Sequence, residues 1–115
     1  MVNIRRGDII IVNFNPVIGS EQGKIRPALV IQNDIGNIYS KLTIVAPLTG
    51  KYYLKYLPFH VRLSASESSL KKDSTILLNQ IRTIDKSRII KKIGKLDKQI
   101  MKQVDAAIKI SLDLD

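Results

Sequence analysis

Apolar positions in this chain fall into short runs punctuated by turn formers, until the last twenty or so residues, where the period changes. Ile9, Ile10, Ile11, Val12 and Phe14 follow Gly7 and Asp8 and stop at Asn15 and Pro16, which predicts a strand over 9–14. A second strand is predicted over 28–32, closed by Asn33, Asp34, Gly36 and Asn37 as a turn, and a third over 42–47. These runs are apolar without alternation, as strands inside a sheet core are. Residues 52–63 alternate less cleanly and contain Pro58, which suits an edge strand whose missing amide faces solvent. A short helical turn is predicted over 64–70. Residues 75–84 form a long apolar stretch that becomes alternating, with Gln80 and Arg82 on one face and Ile81 on the other. A last strand over 88–93 ends at Gly94. Leu96, Ile100, Val104 and Ile108 then recur every four residues, with Met101 and Ala107 beside them and Asp97 placed to cap a helix. The class predicted is mainly β: a small, strongly bent antiparallel sheet or barrel with a C-terminal amphipathic helix against it.

Length allows one modest core, so residues 1–115 are expected to form a single domain. Nineteen Lys and Arg against ten Asp and Glu give a net charge of +9, which favours a polyanionic partner such as nucleic acid, an anionic membrane surface or an acidic protein. The absence of cysteine removes disulfides and thiolate metal sites. No apolar run approaches the roughly 18 residues of a membrane helix, so a soluble, cytoplasmic protein is expected.

Gly19, Ser20, Glu21, Gln22, Gly23 and Lys24 form a polar, glycine-bracketed loop that runs into Arg26, Pro27 and the apolar stretch beyond. An arginine at the mouth of a strand is held by the sheet behind it, and the loop supplies an adaptable, hydrogen-bonding collar. A fixed cation beside such a loop suits a phosphate ester.

Four blocks carry a resemblance: Gly7 to Ile10, Gly19 to Ala28, Pro47-Leu48-Thr49, and Asn79 to Lys86. In order and spacing, across nearly the whole chain, they resemble the MazF/PemK toxin family. The resemblance implies an SH3-like barrel of the MazF/PemK/CcdB type and a homodimer. It also implies a sequence-specific, metal-independent endoribonuclease acting on single-stranded RNA, and a cognate MazE-like antitoxin.

The residue inventory bears on that chemistry independently. With only His60, a two-histidine acid/base pair cannot be built from one chain, and the ten carboxylates show no metal-ligating spacing. No metal and no cofactor are expected. In metal-free cleavage the RNA 2′-hydroxyl attacks its own phosphorus in line and the 5′-oxygen leaves, giving a cyclic phosphate and a 5′-hydroxyl; the enzyme positions groups and stabilises charge.

Arg26 is the first choice for charge stabilisation, because a guanidinium offers two parallel donors to phosphate oxygens. The other role open to it is a surface salt bridge with Glu21. The resemblance also gives it a proton-transfer role, but a guanidinium is a poor base near neutrality, and Glu21 or a water is a second candidate. Thr49 stands where a strand gives way to Gly50. By position it serves equally as a turn residue or a donor to a developing oxyanion, and the family's catalytic Thr/Ser after Pro-x selects the latter. Ser20 matches a serine of the loop block and is a third candidate donor.

Glu21, Gln22, Gly23 and Lys24 are expected to seat substrate. Gln80, as an amide inside an apolar strand, is expected at a pocket floor, with Asn79 beside it where family members often carry an acid; a sheet or dimer-interface hydrogen bond is the alternative. Tyr52, Tyr53 and Tyr56 interleave with Lys51 and Lys55, which fits base stacking or ordinary strand packing. The lysines from Lys86 through Lys102 read as a solvated face. Two other functions fit the basic surface: a CcdB-like inhibitor of DNA gyrase, and a non-catalytic nucleic-acid-binding barrel.

Overall fold

The computed structural model describes residues 3–16, 18–20, 24–50 and 57–115. Within them lie seven strands, β1 (Asp8–Asn13), β2 (Ile25–Val30), β3 (Leu42–Thr49), β4 (His60–Leu63), β5 (Ser74–Leu77), β6 (Arg82–Asp85) and β7 (Ile89–Lys95). Three α-helices accompany them, α1 (Asp34–Tyr39), α2 (Ala65–Ser68) and α3 (Lys98–Ser111), with a 3-10 turn at Lys86–Arg88 between β6 and β7. Every described strand pair is antiparallel, in the order β4-β5-β3-β2-β1-β7, with β6 on β3 beside β5.

The unbroken apolar runs of β1, β2 and β3 are explained by burial on both faces. Ile9, Leu29 and Ala46 join one core cluster with Leu96, Ile100, Val104 and Ala107 of the C-terminal region. Their neighbours Ile10, Ala28, Val30 and Val45 join a second cluster with Ile4, Phe14 and Ile84. Successive residues therefore serve opposite faces, and neither face is left polar. As its period predicts, α3 packs Ile100, Val104 and Ala107 inward, and Asp97 caps it by accepting from the Ile100 N–H at 2.9 Å.

Two irregularities bend the sheet. The β1–β7 ladder shifts register between Ile9 and Ile10 and again between Ile11 and Val12, so β7 carries extra residues there. Strand β3 meets two partners on one side: Leu42 to Val45 pair with β6, and Leu48 and Thr49 pair with β5, three residues out of register with each other. The jog leaves Ala46 and Pro47 without a partner on that side, where a residue lacking an N–H is tolerated.

Several predicted elements are corrected. The stretch 75–84 is two strands separated by a turn, so Gln80 is not inside a strand: its N–H reaches back to the Leu77 carbonyl at 3.1 Å. The predicted turn at 33–37 is the start of α1, because Asn33 accepts from the Gly36 N–H at 2.8 Å and so caps a helix with the residues that also make turns. Strand β7 runs past Gly94, which pairs with Ile9 and lies against Ser69. Strand β2 begins at Ile25, earlier than 28, and so takes Arg26 into the sheet. Of the edge strand predicted over 52–63, residues 60–63 form β4 at one end of the sheet order, and Pro58 precedes it; 52–56 lie outside the described residues.

Candidate active site

Arg26 and Thr49 arrive at one place from two adjacent strands. Arg26 lies in β2 opposite Val12 of β1, and Thr49 ends β3, opposite Thr75 of β5. Both line a cleft of about 400 Å³, which also takes Ile11, Leu48 and Leu70 as apolar lining and Lys71 and Lys72 as further cations. Among the described residues lining it there is no carboxylate. Arg26 is half-buried and Thr49 is 8% exposed, so both side chains are held by the sheet rather than by solvent. Cations around a partly apolar cleft act on an anion in a medium that screens them less than water does.

The loop that precedes Arg26 is fastened at its base. The Phe14 N–H donates to the Lys24 carbonyl at 2.9 Å, and the Lys24 N–H donates to Asn15 Oδ1 at 2.9 Å. Lys24 holds a left-handed backbone at φ 64°. Arg88 Nη1 donates to the Asn13 carbonyl at 3.1 Å and also to that of Asn15. Arg82 Nη1 reaches the Phe14 carbonyl at 3.4 Å, its guanidinium 5.5 Å from the centre of the Phe14 ring. Two arginines from the second half of the chain thus fix the strand ends from which the loop departs.

The remaining candidates are more dispersed. Ser20 is exposed beside Gly19 in a turn and is not among the cleft's lining. Lys24 is exposed at the foot of β2. Asn79 and Gln80 occupy the turn after β5, outside the lining of the cleft. The Asn79 side chain hydrogen-bonds His60, whose pKa lies below its ordinary value of 6.5: burial dominates, the Asn79 bond opposes it, and the Arg62 charge adds to it. His60 stacks edge-on against Phe59, with ring centres 5.0 Å apart. Glu21, Gln22, Gly23, Tyr52 and Tyr53, with Tyr56, lie outside the described residues.

Sequence reasoning missed Lys71 and Lys72 as cleft residues and Arg82 and Arg88 as anchors. The available signal was the pair of lysines between an apolar residue and Asp73, just ahead of a strand. Among the described residues no group of three or more His, Cys, Asp or Glu is disposed to hold a metal ion.

A bent antiparallel sheet with a C-terminal helix packed on it, and an arginine and a threonine converging on a basic cleft, defines a small barrel-type protein. Residues 5–112 match the family described as PemK-like, MazF-like toxin of type II toxin-antitoxin system, and the chain belongs to that family. It is 50% identical over 111 residues to the Endoribonuclease EndoA of Bacillus subtilis, covering 96% of each chain. It is also 50% identical over 111 residues to the Endoribonuclease MazF of Staphylococcus saprophyticus, covering 96% of this chain and 92% of that one. The fold superposes on the crystal structure of MazF from Deinococcus radiodurans with a TM-score of 0.84 at 26% identity, covering 99% and 100% of the two chains. A MazE-MazF crystal structure from the same organism gives 0.78 at 26% identity, with both chains covered completely.

Proposed function

We propose that this chain is the toxin of a type II toxin-antitoxin pair, an endoribonuclease that cuts single-stranded RNA at selected sequences and so halts translation. Half-identity over nearly the full length to two endoribonucleases supports the activity. The observation that carries the site is the convergence of Arg26 and Thr49 on one cationic cleft. Residues 1–115 act as one toxin domain, as a homodimer, with a MazE-like antitoxin as partner. Exposed Ile110, Leu112 and Leu114 at the C-terminal end offer apolar area for assembly, and the +9 charge suits an acidic antitoxin as well as RNA. No described helix is long and apolar enough to cross a membrane; in this reading the toxin acts in the cytoplasm, where its mRNA substrate is.

In this reading no metal and no cofactor take part. The substrate's 2′-hydroxyl attacks the adjacent phosphorus in line while the 5′-oxygen leaves, producing 2′,3′-cyclic phosphate and 5′-hydroxyl ends. Arg26 donates to the non-bridging oxygens as they gain charge, and the Thr49 hydroxyl donates to the same phosphorane. Ser20 is a third donor to the phosphate, and Glu21, Gln22, Gly23 and Lys24 contribute to substrate binding. Asn79, Gln80, Tyr52 and Tyr53 seat nucleotides farther along the strand. The test is incubation of purified protein with a long unstructured RNA in EDTA, followed by mapping of cut sites and end groups. Discrete cuts with cyclic phosphate and 5′-hydroxyl ends are expected; intact RNA with folded protein would favour gyrase inhibition or simple binding instead.

A further inference from the structure

The cleft does not end at Thr49. A second hollow of about 250 Å³, lined by Arg62, Ser64, Asp73 and Thr75, shares Gly50 and Ser74 with it. The first hollow alone falls in the usual range of about 300–1,000 Å³ for small-ligand sites, well beyond the needs of one phosphate group. Together they form a two-lobed groove with Gly50 at the waist.

One side chain is built into that waist. A Cβ placed on Gly50 would come within 3.0 Å of Lys72 Cε and 3.4 Å of its Nζ, so the lysine stem lies along the bare backbone of Gly50. Lys72 forms no ion pair with any described carboxylate. Lys72 is exposed, and its stem runs beside Gly50, so its ammonium is in reach of both lobes at the junction.

We propose that Lys72 is a substrate-binding residue, gripping the phosphate next to the scissile one as the RNA strand passes from the Arg26 and Thr49 lobe toward the lobe holding Arg62. Gly50 is its positioning residue: the missing side chain is what lets the lysine lie across the waist. The proposal rests on the reading of this cleft as a ribonuclease site. Lysine is suited to the task, since a flanking phosphate keeps its charge throughout the reaction and asks for a point cation rather than a transition-state fork.

The experiment measures binding and cleavage separately. Affinity for a short, mixed-sequence 2′-O-methyl strand, which cannot be cut, is followed by fluorescence anisotropy across a salt series. Lys72→Ala is expected to weaken binding about tenfold at low salt and to flatten the slope of log K against log salt by about 0.7, the share of one phosphate contact on a single strand. Lys72→Arg restores the slope. Gly50→Ala weakens binding in the wild-type background and adds nothing once Lys72 is alanine, the signature of two residues acting as one. Unchanged affinity and slope in Lys72→Ala would overturn the proposal. Cleavage of unmodified RNA by the wild type is scored in parallel: no cutting, with the Lys72 effect on binding intact, would overturn the ribonuclease reading and leave the phosphate contact standing.

Discussion

Arg26 and Thr49 lie on neighbouring strands, each two residues beyond Ala28 and Pro47, the pair that ends the β2–β3 ladder. Their side chains line a common cleft. A guanidinium with paired donors and a hydroxyl that can turn its hydrogen are thus carried by the same sheet.

The hydroxyl of Thr49 should matter more than its shape. Thr49→Val keeps the β-branched packing of a residue only 8% exposed and removes the donor. The expected loss in cleavage rate is about 10²–10³-fold. Thr49→Ser should keep most of the activity. Single-turnover kinetics on a defined RNA, beside thermal melts of both variants, separates the donor from the packing.

Lys24 pays for its place before β2 with a left-handed backbone. Lys24→Gly should raise stability by about 0.5–1 kcal/mol, since glycine adopts positive φ without the Cβ clash. It should at the same time raise KM for RNA severalfold, because the side chain that seats substrate is gone. Denaturant titration and steady-state kinetics on the same preparation check both signs; a stabler enzyme with unaltered KM would remove Lys24 from the binding surface.

His60 makes stability depend on pH in a definite direction. Its folded pKa is pushed below 6.5, first by burial. Between the folded value and 6.5 the unfolded chain binds more protons than the folded one. The contribution is complete above the unfolded pKa and is lost as pH falls through this window. His60→Gln should flatten the decline in stability as pH drops from about 7 toward 5. Asp34, lowered mainly by the Arg6 backbone N–H, and Asp85, lowered mainly by that of Ser87, act at lower pH, below their ordinary 3.8, so the windows separate.

Much of this was legible in the residues. The helix beginning at Asp97 declared itself by period and cap, and the runs in β1, β2 and β3 declared buried strands because both faces are covered. What escaped was set by pairing between distant segments. The three-residue jog along β3 splits 75–84 and moves Gln80 from a strand into a turn, and no local pattern encodes which residues of β3 each half meets. Asn33 carries the same signal for a turn as for a helix cap, so α1 was hidden in plain residues. At the site, Arg26 and Thr49 were found through motifs. Lys71 and Lys72 were not, because only the fold brings that segment to the cleft.

Asp97 separates stability from chemistry. Asp97→Ala removes the acceptor for the Ile100 N–H and should cost about 1 kcal/mol. It lies outside the cleft, so cleavage below the melting transition should match the wild type. Melting curves and rates measured together check it.

The most direct test of the Arg26 and Thr49 cleft as a ribonuclease centre is the Arg26→Ala variant assayed in EDTA against an RNA that the wild type cuts. Arg26 is half-buried and outside both core clusters, so the variant should melt cooperatively near the wild-type temperature. Its cleavage rate should fall by at least about 10²-fold, with the RNA left intact over the time in which the wild type consumes it. Cutting at the wild-type rate by a well-folded Arg26→Ala protein would contradict the account, and the chemistry would have to be placed elsewhere on the chain.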